Sequence, residues 1–283
     1  MLNNKCRVKR HFLLAHCEEH LLSTHTEQRP TLTIGVLALN EAHRIRACLE
    51  SAKFADQLIV VDSGSSDSTV EIARHCGAET FIYPDWQGFA IQRNRLLQHA
   101  TGDYIFFLDA DEIIGPEFQQ ELQAIVSSNQ QAVWKIRWRM VAFGHELKYL
   151  RSTSLVERLF VRRTVREFKG IVHEEAKLTD SKMQRKKISA PLLHHSRETV
   201  LDSLQKLTQY SMLGAAKRAG KKGGVIRGLA SGSSMFIRLY FFHLGFLCGG
   251  AGFLYCLFVA LEAFFRYAAL GYDKNYPTDL KRS

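Results

Sequence analysis

The chain has 283 residues, of which 46% are hydrophobic and 23% are charged, so it can bury one substantial core and carry a smaller appended region. This composition excludes an intrinsically disordered protein. The formal net charge of +10 indicates an acidic partner. Three kinds of partner fit this charge: nucleic acid, anionic lipid and a phosphorylated substrate.

The first 30 residues are polar apart from the run Phe12–Ala15, which is too short for the core of a signal peptide. We therefore predict that residues 1–30 form an N-terminal extension, disordered or lying on the surface. The six cysteines lack the closely spaced pairs that zinc or redox sites require, which indicates reduced thiols in a cytosolic compartment.

Strand-like and helix-like segments alternate through residues 31–130. The apolar runs predict strands at 32–39, 58–61, 79–83 and 104–108. The helical periodicity and the cap residues predict helices at 40–53, 68–76, 89–99 and from Pro116 onward. This alternation predicts an α/β fold with a mostly parallel, Rossmann-like sheet.

The pattern changes in residues 131–196, which we predict to be a second, α+β half of the same domain. From Val133 to Met140 apolar residues alternate with Lys and Arg, the two-residue period of a half-solvated strand. Further strands are predicted near 155–161 and 186–194.

Residues 197–283 are predicted to form a helical region that associates with a membrane. A helix is expected from Arg197 to Arg218, followed by a basic hinge at 221–224. Residues 239–261 carry no formal charge. This uncharged segment is long enough for a membrane span. Two shorter helices meeting at the cluster Gly249, Gly250 and Gly252 and lying in one leaflet fit about as well. A buried helical hairpin of a soluble protein is the third interpretation.

Acidic or polar residues follow three of the predicted strands. Asp109 and Asp111 come directly after the strand 104–108, Asp62 ends the second strand, and Asn40-Glu41 follows the first. Neighbouring parallel strands would bring these loops to one edge of the sheet, where open α/β folds bind ligands. Two carboxylates one residue apart can hold a divalent cation and a ribose hydroxyl together.

The same residues have a simpler interpretation, because Asp and Glu are common before a helix and Ser66-Asp67 fits a capped turn. The coincidence of three polar strand ends favours a ligand site. Thr31 to Glu112 resembles the nucleotide-sugar domain of family-two glycosyltransferases, with Asn40-Glu41, Asp62 and Asp109-x-Asp111 matching its motifs.

A closer resemblance covers roughly residues 31–270. The segments that carry it are Asp85–Phe89, Gln92-Arg93-Asn94, Val172-His173-Glu174, Leu193-His194 and the apolar tail, which together are similar to the lipopolysaccharide inner-core β-glucosyltransferase group. Many members have Gln before the Val-Arg-Leu-Phe run, whereas this chain has Glu157-Arg158-Leu159-Phe160. The donor chemistry therefore transfers more directly than the acceptor specificity.

The resemblance implies a GT-A fold and roles for individual residues. Asn40, Glu41 and Asp62 would help hold the nucleotide, Asp109 the ribose and a divalent cation (Mg or Mn), and Asp111 the cation directly. Gln92, Arg93 and Asn94 would line the same pocket. His194 could be a further metal ligand, although a packed or capping histidine is the alternative.

An inverting transfer needs a carboxylate that takes the acceptor's proton, and Glu174 is the candidate base, with Glu112 and Glu175 as alternatives. The basic residues Arg158, Arg162, Arg163, Arg166 and Lys169 could meet phosphates or form a solvated face.

The function implied is the transfer of a hexose, glucose from UDP-glucose, onto an inner-core sugar of lipopolysaccharide at the cytoplasmic face of the bacterial inner membrane. The 131–196 half would then be the acceptor side. A polyprenyl-phosphate glycosyltransferase is the alternative, and a nucleotidyltransferase is disfavoured because the first strand lacks a Gly- and Arg-rich phosphate loop. Nucleic acid is not an expected partner, since the basic residues are scattered and lack a known binding motif.

Overall fold

A computed structural model describes residues 29–150, 154–170 and 175–273. From Thr31 onward the chain forms one compact unit. The division of this unit at residues 130 and 196 stays a prediction, as does the nature of residues 1–30.

A large mixed sheet runs through this unit. Its strands are β1 (Leu32–Ala38), β2 (Gln57–Asp62), β3 (Glu79–Ile82), β4 (Tyr104–Asp109), β5 (Glu112–Ile113), β6 (Val133–Ala142), β7 (His145–Glu146), β8 (Leu155–Val161), β11 (Arg185–Lys187) and β12 (Leu192–Arg197). Two further strands, β9 (Val165–Lys169) and β10 (Glu175–Leu178), form a separate antiparallel ribbon.

The strand order is β3-β2-β1-β4-β8-β6-β12-β5, with β7 and β11 also pairing with β6. Strands β1 to β4 are mutually parallel, and β8 is antiparallel to both β4 and β6. Strands β1, β2 and β4 are apolar and buried on both faces, as in α/β folds generally, whereas the edge strand β3 is partly exposed. This arrangement is the GT-A type of mixed, mostly parallel sheet, as the sequence predicts.

Seven α-helices are present in the described ranges. They are α1 (Ile45–Ser51), α2 (Thr69–His75), α3 (Phe89–His99), α4 (Pro116–Ser127), α5 (Val200–Ala216), α6 (Val225–Ile237) and α7 (Gly249–Tyr272). Pro116 begins α4 at a position where the missing N–H costs nothing. The Thr199 side chain caps α5 by accepting from the Asp202 backbone N–H at 3.0 Å.

Helices α6 and α7 form an antiparallel hairpin. The Gly224 N–H, at the start of α6, donates to the Tyr267 carbonyl near the end of α7 at 2.7 Å. Gly228 and Gly232 face Phe264 and Ala260, so the missing side chains allow the helices to approach closely. The turn between them contains a π-helical segment (Arg238–Phe242) and a 3-10 segment (Gly245–Cys248).

One sequence prediction is wrong in detail, and one of the three interpretations of residues 239–261, a single continuous helix, is excluded. The predicted strand 186–194 is two strands, β11 and β12, since the chain leaves the sheet between Lys187 and Leu192. The uncharged segment 239–261 is not one helix, because it contains the hairpin turn at 238–248. Within the described residues, one helical stretch, Gly245–Tyr272, is long and apolar enough to cross a membrane, and a third of its most apolar part is buried by protein.

Candidate functional site

Three polar strand ends meet at one edge of the sheet. Strand β1 lies between β2 and β4, and its register pairs Ala38 with Asp62 on one side and Leu37 with Asp109 on the other. The loops that follow these strands therefore emerge side by side, roughly 10 Å apart across the middle strand. This juxtaposition confirms the sequence expectation about the sheet edge.

Asp109, at the end of β4, is held by a buried arginine. The Arg158 guanidinium approaches both Asp109 carboxylate oxygens, at 3.1 and 2.5 Å, and a second guanidinium, that of Arg93, lies 3.7 Å from Oδ1. Burial opposes ionisation, but the charge and hydrogen bonds of Arg158 outweigh it and hold the pKa of Asp109 well below its usual range. Asp109 is therefore a carboxylate, and 40% of its side chain remains exposed to the edge.

Glu112 lies behind Asp109 and is fully buried. Its carboxylate accepts from the Asp109 backbone N–H at 2.8 Å, from Trp138 Nε1 at 2.5 Å and from Arg158 Nη2 at 3.3 Å. Burial raises the pKa of Glu112 to about 7, against the opposing charge of Arg158. These contacts fix the acidic loop from behind, where the side chain does not reach solvent.

Asp111 and His194 face each other across the sheet edge. The Asp111 Oδ2 and His194 Nε2 atoms are 3.1 Å apart, and His194 stands on β12, beside β5. Burial disfavours the charged form of each group, but their mutual hydrogen bond and attraction lower the pKa of Asp111 and raise that of His194. The Asp111 carbonyl also accepts from the His195 N–H at 2.8 Å, which holds the loop against β12.

The predicted metal ligands are brought together only in part. Asp111 and His194 offer an oxygen and a nitrogen at one point, a donor set that Mn²⁺ accepts, whereas Asp109 is engaged by Arg158. In the part of the chain that the structure describes, no three His, Cys, Asp or Glu side chains form a group able to hold a metal ion. A cation bound here would need oxygens from a ligand to complete its coordination.

Asp62 organises the loop after β2. Its Oδ1 accepts from the backbone N–H groups of Gly64 and Ser65 at 2.9 and 2.8 Å, and its Oδ2 accepts from the Ser65 hydroxyl at 2.5 Å. Gly64 has a positive φ of 91°, which a side chain would strain. The carboxylate is fully buried, so its contacts are with its own loop.

Asn40 links the first loop to the second. The residue has a φ of 56°, a left-handed conformation that Asn tolerates better than most residues. Its backbone N–H donates to the Ser65 hydroxyl, and its side-chain oxygen accepts from the Ser66 N–H at 2.9 Å. Glu41 forms an ion pair with Arg44, which also approaches Glu198 at 3.5 Å.

The three consecutive polar residues of α3 take different positions. Gln92 is fully buried and donates to the Ser63 hydroxyl at 2.9 Å. Arg93 stacks over Phe107 and Phe168 beside Asp109. Asn94 pairs with the backbone of Phe168 through both amide atoms, at 3.0 and 2.6 Å, which ties α3 to β9. Of the three, Arg93 is the one in contact with the acidic loop.

The candidate base, Glu174, lies outside the described residues, and so does His173. Glu175 is described, and its side chain is 75% exposed, with Lys177 at 3.3 Å. Of the basic set considered from the sequence, Arg158 turns inward to Asp109, whereas Arg163 is exposed and donates to Gln131.

Sequence reasoning missed the roles of Arg158, Trp138 and Arg197. Arg158 and Trp138 contact the acidic loop from strands β8 and β6, and Arg197 pairs with Glu262 of α7 at 2.5 Å. The available signal was Glu262 itself, because a lone carboxylate in an apolar helix requires a partner.

The mixed sheet and its three polar strand ends fit the GT-A class of nucleotide-sugar-dependent glycosyltransferases. The sequence profile of Glycosyl transferase family 2 matches residues 33–190. The chain belongs to this family, which confirms the resemblance found in the sequence.

Several curated relatives align with most of the chain, and two of them illustrate the range. The lipopolysaccharide core biosynthesis glycosyltransferase LpsC of Rhizobium meliloti is 24% identical over 252 residues, covering 84% of this chain and 91% of LpsC. An uncharacterized glycosyltransferase of Rickettsia bellii is 28% identical over 254 residues, covering 83% and 84%. The glycosyltransferase SunS of Bacillus subtilis is 38% identical, but over only 31% of this chain and 22% of SunS.

Solved structures with a similar fold align over shorter stretches. Glucosyl-3-phosphoglycerate synthase from Mycobacterium tuberculosis, in complex with Mn²⁺, UDP and glucosyl-3-phosphoglycerate, is 23% identical with a TM-score of 0.37, covering 48% of this chain and 58% of that one. TarS of S. aureus is 15% identical with a TM-score of 0.45, covering 65% and 64%. The chain thus spans little more than half of the first protein and about two thirds of the second.

Proposed function

We propose that this glycosyltransferase moves a hexose, glucose from UDP-glucose, onto an inner-core sugar of lipopolysaccharide, with inversion at the anomeric carbon. The observation that carries the proposal is the position of Asp109 beside the Asp111–His194 pair at the edge where the first three strand-end loops meet. The alignment with LpsC over most of both chains supports the acceptor class.

On the donor side, Asp109 and the loops of Asn40 and Asp62 surround the nucleotide. Arg158 keeps Asp109 ionised, so the carboxylate can accept hydrogen bonds from a ribose. Asp62 acts through its loop, whose backbone it fixes. Glu41, Gln92 and Asn94 support these loops, and Arg93 adds a positive charge beside Asp109.

Asp111 and His194 would hold a divalent cation, Mg or Mn. When bound, this ion supplies positive charge that neutralises the departing nucleotide diphosphate. His194 would have to be neutral to ligate the ion, so the proton that its ring shares with Asp111 would be released on binding; the Asp111 Oδ2 and His194 Nε2 atoms already lie 3.1 Å apart. Glu174 takes the proton of the attacking hydroxyl.

The enzyme works at a membrane surface, which the α6–α7 hairpin contacts. Ile226, Leu229 and Ile237 of α6, at helical spacing on one face, are exposed, as are Phe241 and Phe242 at the hairpin turn. Basic residues border the start of the hairpin: Lys217, Arg218, Lys221, Lys222 and Arg227. An exposed apolar face with a basic border is typical of a helix that lies in the interface of an anionic membrane.

The contacts of α7 favour lying on the membrane over crossing it. Cys256 packs against Ala142, Leu147 and Leu150, and Glu262 is paired with Arg197. These contacts fall in the middle of α7, where a spanning helix would face lipid or other spanning helices. Our proposal is that the protein lies on the cytoplasmic face of the bacterial inner membrane, the location that the resemblance implies.

A transfer assay tests this function. The full-length protein is incubated with radiolabelled UDP-glucose, Mn²⁺ and lipopolysaccharide truncated in its inner core, and the labelled product is separated by gel electrophoresis. We expect label in the glycolipid, and loss of transfer on addition of EDTA. Label that appears in polyprenyl phosphate but not in truncated lipopolysaccharide would overturn the acceptor assignment. Transfer from another nucleotide sugar, with none from UDP-glucose, would overturn the donor assignment.

A further inference from the structure

A cavity of about 230 Å³ opens beside the Asp111–His194 pair. Strand β12 contributes Ser196 and Arg197 to its wall, and the C-terminal helices provide the opposite side. Its volume is sufficient for a ring of monosaccharide size. The cavity thus connects the edge that carries the acidic loops with helices outside the region matched by the family profile.

The helices present aromatic and charged side chains to this cavity. Helix α5 contributes Lys206 and Tyr210, and α7 contributes Tyr255 and Glu262. Tyr255 and Glu262 are seven residues apart, so they stand on one face of α7. Aromatic rings beside polar groups are typical of sites that bind sugars or other amphipathic ligands.

Several buried polar atoms on this wall have no hydrogen-bond partner among the residues that the structure describes. They are Nδ1 of His194, Oγ of Ser196 and Nη1 of Arg197. The Arg197 side chain is only 5% exposed, and its other terminal nitrogen, Nη2, is held by Glu262 at 2.5 Å. A buried donor without a partner is costly, so a ligand that accepts from Nη1 would be bound favourably.

Lys206 adds a second cation near the same point. Its Nζ donates to the Ser196 carbonyl at 2.7 Å and to Asp202 at 3.1 Å, while an ammonium group carries three N–H donors. Arg197 and Lys206 each have one carboxylate partner, which balances the positive charge. A ligand would therefore be attracted mainly by hydrogen bonds from the N–H groups of these two side chains. Such groups bind anionic oxygens more strongly than hydroxyls.

We infer that this cavity is the acceptor subsite of the enzyme, and that Arg197 and Lys206 recognise an anionic group, a carboxylate or a phosphate, on the acceptor sugar. The inference rests on the proposed glycosyl transfer. Arg197 and Lys206 lie on the part of the wall that β12 and α5 form, so the anionic group would lie toward these two side chains.

The test compares three sugars that differ at one carbon: glucose, glucuronic acid and glucose 6-phosphate. Their affinities for the full-length protein are measured by ligand-observed NMR, with and without saturating UDP and Mn²⁺. We expect at least one anionic sugar to bind about tenfold more tightly than glucose, the gain typical of a charge-assisted hydrogen bond. The preferred anion identifies carboxylate or phosphate as the source.

Two changes should remove this preference. Lys206→Met deletes one cation, and Arg197→Gln combined with Glu262→Gln removes the other without leaving a buried carboxylate unpaired. Arg74→Gln, on the exposed surface of α2, is the matched control and should keep the preference. The affinity for UDP, measured in parallel, reports on the folded state of each variant.

Equal binding of all three sugars by the unchanged protein would overturn the inference, as would an anion preference that persists in both altered proteins. Failure of the unchanged protein to bind UDP would instead overturn the proposed function. The titrations without nucleotide would still decide whether the cavity selects anions, because Arg197 and Lys206 lie outside the donor loops.

Discussion

Arg158 should be essential for the stability of the acidic loop, and Arg158→Met tests this directly. The substitution keeps a long side chain but leaves two carboxylates, those of Asp109 and Glu112, without their common cation. Glu112 has a side chain only 1% exposed, so solvent does not replace the lost partner. Removal of one member of a buried ion pair costs about 3–5 kcal/mol.

The lower end of that range applies here, because the Asp109 side chain is 40% exposed and water can rehydrate it, and because Glu112, whose pKa burial already raises to about 7, can take up a proton when Arg158 is removed. A destabilisation of about 3 kcal/mol lowers the melting temperature of a chain of this size by about 6–12 °C. Urea unfolding followed by circular dichroism gives the free energy, and a thermal scan gives the melting temperature. Arg163→Met, on an exposed residue, should change the stability by less than about 1 kcal/mol.

The double variant Arg158→Met with Glu112→Gln distinguishes the loss of a charge partner from the loss of packing. If the loss arises from an unpaired carboxylate, neutralising Glu112 should recover part of the stability, and the two effects should not add. An Arg158→Met protein as stable as the Arg163→Met control would refute the reasoning. Strict additivity in the double variant would show that Arg158 contributes through packing and not through charge.

Three further predictions concern chemistry and membrane binding. Asp111→Asn should abolish glucosyl transfer while the melting temperature changes little, since it removes a charge from the proposed cation site without changing size; near-normal turnover at saturating Mn²⁺ would exclude that role. Glu174→Gln should slow transfer by roughly two to four orders of magnitude with unchanged UDP affinity, whereas the exposed neighbour Glu175→Gln should keep its rate; the reverse result would move the base to Glu175. Ile226→Ser with Phe242→Ser should weaken flotation with anionic vesicles, and unchanged flotation would place the membrane contact elsewhere.

The grouping of the polar strand ends could be predicted from the sequence, because parallel strands that follow one another in the chain end at the same edge of the sheet. Each strand that ends in a polar residue delivers that residue to the same edge, so Asn40, Asp62 and Asp109 could be grouped without knowledge of distances. The bounds of α3 and the start of α4 followed from local signals such as Pro116, whereas α1 is Ile45–Ser51 and not the predicted 40–53.

The contacts that hold these side chains in place could not be predicted, because they depend on the order of the strands in the sheet. Strand β8 inserts beside β4 in the antiparallel sense, which brings Arg158 to Asp109 across 49 residues of sequence. In the sequence, Arg158 lies between Glu157 and the apolar run Leu159–Val161, and this pattern does not distinguish a buried arginine from a solvated one. Its guanidinium lies over the Trp138 ring of the neighbouring strand β6, a contact that local periodicity does not encode.

In the C-terminal region, too, the sequence does not show which elements pack together. For this reason the uncharged segment 239–261 had more than one interpretation. Residues 239–261 were long enough to span a membrane, yet the chain turns at 238–248 and α7 then packs back on the domain. Length and hydropathy measure how apolar a segment is but do not say which neighbour covers it. The decisive observation is the Arg197–Glu262 pair, because it fixes the middle of α7 against β12.

Helix α7 belongs both to the proposed acceptor cavity and to the hairpin that we propose contacts the membrane. Its face with Tyr255, Val259 and Glu262 lines the cavity beside Asp111, while Phe265, on an adjoining face, and Tyr272, at the end of the helix, are exposed. An acceptor sugar held by a lipid could therefore enter the cavity while its lipid stays in the interface that the hairpin contacts. Substitutions that detach the hairpin from the membrane should therefore raise the KM for a lipid-held acceptor. They should raise the KM for the soluble acceptor sugar less, because membrane binding does not increase the local concentration of a soluble sugar at the enzyme.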